Sequence, residues 1–274
     1  MLSVCKRILR DHTHNLSQIL KLAKADLVKT YRGAALGWSW AVIKPCVTLF
    51  TYWFALSFGF RSNTPITVGD NTYAFFLWLV LGITPWFYMN DMLVAGTESI
   101  RKYKYLVTKM KFPVSVIPTF VSVSKLMVNL VLLLVVMILF WASGHAPTLY
   151  WVQLPVYIGF SFAFFTLWAQ FASLLAAISQ DFLNLVKAFI TPLFWLSGII
   201  WRADTLHEHP LIQWFLRLNP VTYLVNGFRN CMIFERWFFE TPLETGIFMG
   251  WLVLLWILSL WAYKRLRKDI PDVL

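Results

Sequence analysis

Six apolar runs dominate this chain, at roughly 35 to 60, 73 to 97, 114 to 143, 150 to 178, 183 to 201 and 245 to 263. Each is close to or longer than the about 20 residues a helix needs to cross a bilayer core. In hydrocarbon the backbone must satisfy its own hydrogen bonds, so only helices and closed barrels span. The runs are too long and too uniformly apolar for half-buried strands, and they lack the period-two alternation of an outer-membrane barrel. They predict an all-α integral membrane protein with six transmembrane helices. The composition, 59% hydrophobic and 18% aromatic over 274 residues, lies outside the soluble range.

A net charge of +11 would suit a nucleic-acid binder if the bases lined a solvated face, but most of them sit beside span ends. They report topology, and no nucleic-acid partner is expected. Lys6, Arg7, Arg10, Lys21, Lys24, Lys29 and Arg32 precede the first span. Arg101, Lys102, Lys104, Lys109 and Lys111 follow the second, and Lys264, Arg265, Arg267 and Lys268 follow the last. Elsewhere Arg61 is offset by Asp70, the 144 to 149 loop holds no Lys, Arg, Asp or Glu, and 202 to 244 balances its arginines with Asp204, Glu208, Glu235, Glu240 and Glu244. With six spans, the positive-inside rule puts the basic segments and both termini in the cytosol. The chain reads as one transmembrane domain: a cytosolic leader (1–33), spans one to five (34–201), an extracellular region (202–244), a sixth span (245–263) and a cytosolic tail (264–274). No apolar run with a small-residue cleavage site lies in the leader, so the first span itself targets the chain.

The aromatic stretch "LIQWFLRLNPVTYLVNGFRNCMIFERWFF" (211 to 239) is broken by Arg217, Pro220, Arg229 and Arg236. A seventh span there would put "YKRLRK" outside, so re-entrant or interfacial short helices on the outer side are expected, with non-helical backbone near Asn219 and Pro220. Two further segments are amphipathic. In the leader, Leu16, Ile19, Leu20, Ala23, Leu27 and Tyr31 recur at helical spacing with Lys21, Lys24 and Lys29 off that stripe, which predicts a helix in the cytosolic interface. In "IRKYKYLVTKMKFP" (100 to 113), Ile100, Tyr103, Val107 and Met110 give one apolar face to a short helix that Pro113 ends; a basic loop with snorkelling side chains is the other reading.

Enzymatic signatures are missing. No G-x-x-x-x-G-K-[ST] occurs, so the chain has no phosphate-cradling loop of its own and cannot hydrolyse ATP alone. Cys5, Cys46 and Cys231 are far apart, "HEHP" (207 to 210) lacks zinc-protease spacing, and the carboxylates are scattered, so neither metal site nor catalytic pair is expected. Ionisable residues within spans carry more interest: Lys44, Asp91, Lys125 and Lys187. Asp91 and Lys125, on adjacent antiparallel spans, are expected to pair, whereas Lys44 either snorkels or faces a polar lumen.

The leader, "YRGAALGWSWAVIKP", "GITPWFYMNDMLVAGTESI", "KMKFPVSVIPTFVSVSK" and "LNPVTYLVNGFRN" occur in an order that resembles the permease subunits of polysaccharide-exporting ABC transporters of the ABC-2 type. The nearest likeness is to the teichoic acid translocation permeases of Gram-positive bacteria, and it runs along nearly the whole chain. The resemblance implies a bacterial plasma-membrane homodimer bound to two cytosolic ATPase subunits, which hold the ATP and Mg; this chain binds no cofactor. It implies export of an undecaprenyl-diphosphate-linked polymer, wall teichoic acid foremost, to the outer side. It also makes the basic helix after span two a coupling helix, with Tyr103, Leu106, Val107 and Met110 packing into a groove of the ATPase while Arg101, Lys102 and Lys104 meet acidic groups or lipid phosphates.

A diphosphate headgroup needs fixed positive charge on its way through a low-dielectric region, and Arg suits phosphate through its planar fork. Lys29, Arg32 and Lys44 are graded from cytosol into the bilayer and form the candidate headgroup path; simple anchoring of the span end is the alternative. An exporter of small hydrophobic compounds would share this architecture. A membrane-embedded transferase would need a clustered acidic or histidine motif, which is missing.

Overall fold

The computed structural model describes residues 2–33, 35–59, 64–110, 112–201, 210–267 and 270. Arg61, Lys111, His207, His209 and Lys268 lie outside them. Two amphipathic helices, α1 (Leu2–His14) and α2 (Leu16–Tyr31), lead into α3 (Trp40–Phe54), which one π-helical turn extends to Gly59. Next come strands β1 (Ile66–Val68) and β2 (Asn71–Tyr73), then α4 (Phe75–Asp91), which runs through a π-helical turn (Met92–Gly96) into α5 (Thr97–Lys102) and α6 (Lys104–Thr108). Helices α7 (Val116–Ala142), α8 (Leu154–Ile178) and α9 (Gln180–Leu196) follow, then short α10 (Pro210–Leu218) and α11 (Pro220–Arg229), and finally α12 (Pro242–Leu266).

Among the described residues, five continuous helical stretches are long and apolar enough to cross a membrane: Gly37–Gly59, Phe75–Thr108, Val116–Ala142, Leu149–Ile178 and Pro242–Leu266. The run expected as the fifth of six spans forms α9. At 17 residues it reaches about 26 Å, short of the about 30 Å hydrocarbon core. It ends where Ser197 leaves helical geometry and Gly198 takes a positive φ of 62°. The all-α expectation also misses a hairpin: β1 and β2 pair antiparallel with Ile66 opposite Tyr73 and Val68 opposite Asn71. Its two-residue turn starts at Gly69, whose φ of 57° is the left-handed conformation such tight hairpins need.

Helix α4 is the most deeply buried of the long apolar helices. It packs on α7 and α11, and its residues from Leu77 to Trp86 are buried. By contrast α3 leaves Val47, Phe50 and Phe54 exposed on one face. Lipid tails are as apolar as leucine, so helices in a bilayer gain from close packing rather than from escaping water. Gly82 and Gly227 supply that closeness. A Cβ on Gly82 would lie 2.5 Å from the Ile199 carbonyl, and one on Gly227 would lie 2.1 Å from the Tyr157 ring.

A second, smaller core forms where α1, α2, α5, α6 and the last turns of α12 meet the start of α7. There a His12 ring nitrogen lies 2.8 Å from the Thr119 hydroxyl, and Tyr263 Oη donates to Asp11 at 3.5 Å. The leader, the basic helix and the basic end of α12 therefore share one end of the molecule, called the basic end below.

Candidate functional site

At the basic end, Asp26 organises the layer. It lies one helical turn after Ala23 and two after Ile19, on the face of α2 that packs against α7. Its side chain is 1% exposed and meets Lys102 Nζ at 3.0 Å, and the Tyr103 hydroxyl donates to the same carboxylate oxygen. Burial alone would raise the Asp26 carboxyl, but hydrogen bonds from Tyr103, Ser124 and Lys102, with the Lys102 charge, hold it below the ordinary value. Lys29 Nζ sits 5.9 Å from the Tyr103 ring centroid, a cation over a π face.

This arrangement revises the expected coupling face. The helix is broken at Tyr103 (φ −110°, ψ 28°), and the apolar stripe turns inward. Tyr103, Leu106 and Val107 are buried against Ile19, Ala23 and Phe120, so they are not available to a groove on another subunit. Of the expected apolar set only Met110 is exposed. Arg101 donates to the Ala176 carbonyl at 3.3 Å and to the Gln180 side chain, tying α5 to the α8–α9 junction. With Lys102 held by Asp26, the outward face consists of Lys104, Tyr105, Thr108, Lys109 and Met110.

The expected headgroup path is not gathered into one site. Lys29 lies against Tyr103, Arg32 is exposed just past the end of α2 where the chain turns extended, and Lys44 is exposed on α3. Asp91 and Lys125 do pair, at 3.2 Å. Lys187 is exposed on α9.

The opposite end holds a cavity of about 590 Å³ between α10, α11 and the start of α12. Its floor is Arg229, buried although charged. The guanidinium lies 3.6 Å from the Trp78 ring centroid and donates to the carbonyls of Gly198 at 2.9 Å and Ile199 at 2.6 Å. The tight turn after α9 presents those carbonyls together, and Gly82 leaves room for the fork. Arg217 pairs with Glu244 at 3.6 Å on the rim. The helix break falls at Asn219, whose side chain caps α11 by accepting from Val221 N at 2.9 Å, a standard N-cap. The lining is mostly apolar and aromatic, with amides, arginines and Glu244 set into it, the mix of apolar wall and a few placed polar groups usual for a ligand pocket.

Sequence reasoning passed over Asp26 and treated Arg229 only as an interruption. The signal for Asp26 was an acid on the apolar stripe of an otherwise basic leader. For Arg229 it was a charge at helical spacing from Val221, Thr222 and Val225, all of which are buried.

The sequence model described as ABC-2 type transporter matches residues 17–233. The O-antigen export system permease protein RfbA of Myxococcus xanthus is 24% identical over 266 residues, covering 97% of this chain and 98% of that protein. A protein of the same name from Klebsiella pneumoniae is 22% identical, covering 93% of this chain and 94% of its own length. Another from Klebsiella pneumoniae is 21% identical over 77% of this chain and 78% of its own.

Proposed function

The chain belongs to the ABC-2 type transporter family, and from that premise we propose that it is the permease subunit of an ATP-driven exporter of a cell-surface polysaccharide. The observation that carries the proposal is likeness along nearly the full length to proteins named O-antigen export permeases. Those names put an O-antigen polysaccharide first. The wall teichoic acid implied by the sequence resemblance is the second candidate. In either case the cargo is linked to undecaprenyl diphosphate and moves from the cytosolic to the outer side.

In this reading the basic end faces the cytosol, in keeping with the positive-inside rule. Helices α3, α4, α7, α8, α9 and α12 are the six spans, α9 crossing with the turn that follows it, and α10 and α11 are re-entrant on the outer side. Two copies associate, which the exposed apolar face of α3 favours, and two cytosolic ATPase subunits supply ATP and Mg chemistry that this chain has no loop to perform. The ATPase docks on the outward face of α5 and α6, where Lys104, Tyr105, Lys109 and Met110 are exposed. Arg32, between Lys29 and Lys44, guides the diphosphate.

Depletion of the permease tests the proposal. Lipid-linked glycan should accumulate inside the cell while surface glycan falls, both read by mass spectrometry of the lipid extract and by surface labelling. Unchanged surface glycan with loss of efflux of small hydrophobic dyes would replace the polysaccharide with the alternative cargo.

A further inference from the structure

A cleft of about 530 Å³ opens at the basic end between α1 and the last turns of α12. Lys6, Arg7 and Arg10 line it from one helix and Lys264 and Arg267 from the other, and among the described residues no carboxylate belongs to its lining. We propose that this cleft binds the phosphate of a lipid headgroup.

The charge pattern is the first ground. On α1 the bases fall at i, i+1 and i+4, which aligns them on one face, while Val4 and Ile8 turn toward the small core. None of the five bases makes an ion pair among the described residues. Asp11, the acid in α1, does not line the cleft; it accepts from Ser115 at 3.1 Å and from the cleft residue Tyr263 at 3.5 Å, so one carboxylate stands beside five bases. Five like charges around one concavity repel, and a compact polyanion relieves that repulsion where scattered surface charges would simply be solvated.

Position is the second ground. Helix α12 has 25 residues and reaches about 37 Å, longer than the about 30 Å hydrocarbon core, so its last turns stand at headgroup level. Arg267 is steadied there against the Tyr263 ring at 5.5 Å. A volume of this size accommodates a headgroup rather than a protein segment, and the arginine forks match phosphate oxygens in pairs. A phosphodiester of an ordinary anionic phospholipid and the diphosphate of a prenyl carrier share this chemistry. Either would bind whether or not the protein exports a polysaccharide.

The experiment uses the full-length permease, with the subunits that co-purify, delipidated and returned to nanodiscs or detergent. Dioleoyl phosphatidylglycerol, dioleoyl phosphatidylethanolamine, farnesyl diphosphate and inorganic diphosphate are titrated separately, and retention is read by native mass spectrometry. Arg7→Gln, Arg10→Gln and Arg267→Gln together should weaken anionic lipid binding at least tenfold. Lys21→Gln, Lys24→Gln and Arg265→Gln together remove equal charge from the same end outside the cleft and should change it less than twofold. These side chains lie outside the buried cores, and size-exclusion chromatography checks each variant. Tenfold preference for farnesyl diphosphate identifies a carrier lipid, and equal binding of both anionic lipids identifies bulk phospholipid; either supports the site. Equal losses in the two triple variants, binding of inorganic diphosphate without lipid, or no cleft-dependent binding at all overturns it.

Discussion

Removing Lys102 should damage the protein more than removing its partner Asp26, although both changes break the same ion pair. The asymmetry follows from exposure: the Lys102 side chain is 35% exposed and the Asp26 side chain 1%. In Asp26→Asn the lysine turns into water and the amide oxygen still accepts from Tyr103, so the loss is about 1.5–3 kcal/mol, that of a charge-assisted hydrogen bond. In Lys102→Met the carboxylate cannot reach water and keeps only neutral donors, which costs about 3–5 kcal/mol. The double variant has no stranded charge and should resemble Asp26→Asn, so the coupling read from the cycle equals the Lys102→Met loss, about 3–5 kcal/mol. Unfolding by SDS in mixed micelles, followed by tryptophan fluorescence, measures all four proteins. Equal losses in the single variants, or additivity in the double, would refute the reasoning. The pair also sets a pH dependence. Because folding lowers the Asp26 carboxyl below its ordinary 3.8, its stabilisation is complete above that pH and is lost as pH falls further, through the folded-state value. Asp26→Asn should abolish that acid-side component.

Four further outcomes are expected. Gly82→Ala and Gly227→Ala should each cost about 2–3 kcal/mol by overpacking against the Ile199 carbonyl and the Tyr157 ring, whereas Gly246→Ala and Gly250→Ala, with open space around them, should be neutral or stabilising; equal folded yields across the set would sink this. Lys104→Glu with Lys109→Glu should reduce co-purification of the ATPase and its stimulated hydrolysis while leaving permease stability intact, and Val107→Pro should lower both by breaking α6 at about 3 kcal/mol; a charge-reversed permease that still binds and stimulates the ATPase would remove the coupling role. With Cys5, Cys46 and Cys231 replaced, a cysteine at Asp70 should react with an impermeant maleimide from outside and one at Lys264 only after permeabilisation, and outside labelling at Lys264 would invert the proposed topology. Export by Arg32→Lys at equal membrane abundance should fall several-fold, less than by Arg32→Ala; full export by Arg32→Lys would reduce the role to a point charge.

Long-range order was the legible part of the fold. Runs such as 114 to 143 admit one solution in a bilayer, and α7 (Val116–Ala142) occupies that run almost end to end. Irregular backbone was legible only where a residue type forces it, as at Asn219–Pro220. The early end of α9 depends instead on Gly198 and on what the freed carbonyls of Gly198 and Ile199 then bind, which is Arg229 from a helix about 30 residues away. A local reading of hydropathy contains neither partner. The hairpin at 66 to 73 escaped for a related reason, since its strands are three residues each and no alternation can be read over so short a span.

The basic helix shows the same limit at the candidate site. Periodicity identified Ile100, Tyr103, Val107 and Met110 as one apolar face; the first three form one buried face and Met110 is exposed. What periodicity does not carry is the identity of the covering surface. An apolar stripe is satisfied equally by another subunit or by the chain's own leader, and here Ile19 and Ala23 cover it. The deciding residue was Asp26, because a carboxylate placed on the apolar stripe of α2 is tolerable only beside a base and a hydroxyl, and Lys102 and Tyr103 are adjacent residues that offer both. Any surface this layer presents to another subunit must therefore be built from the side chains that Asp26 does not claim, and these are mainly polar.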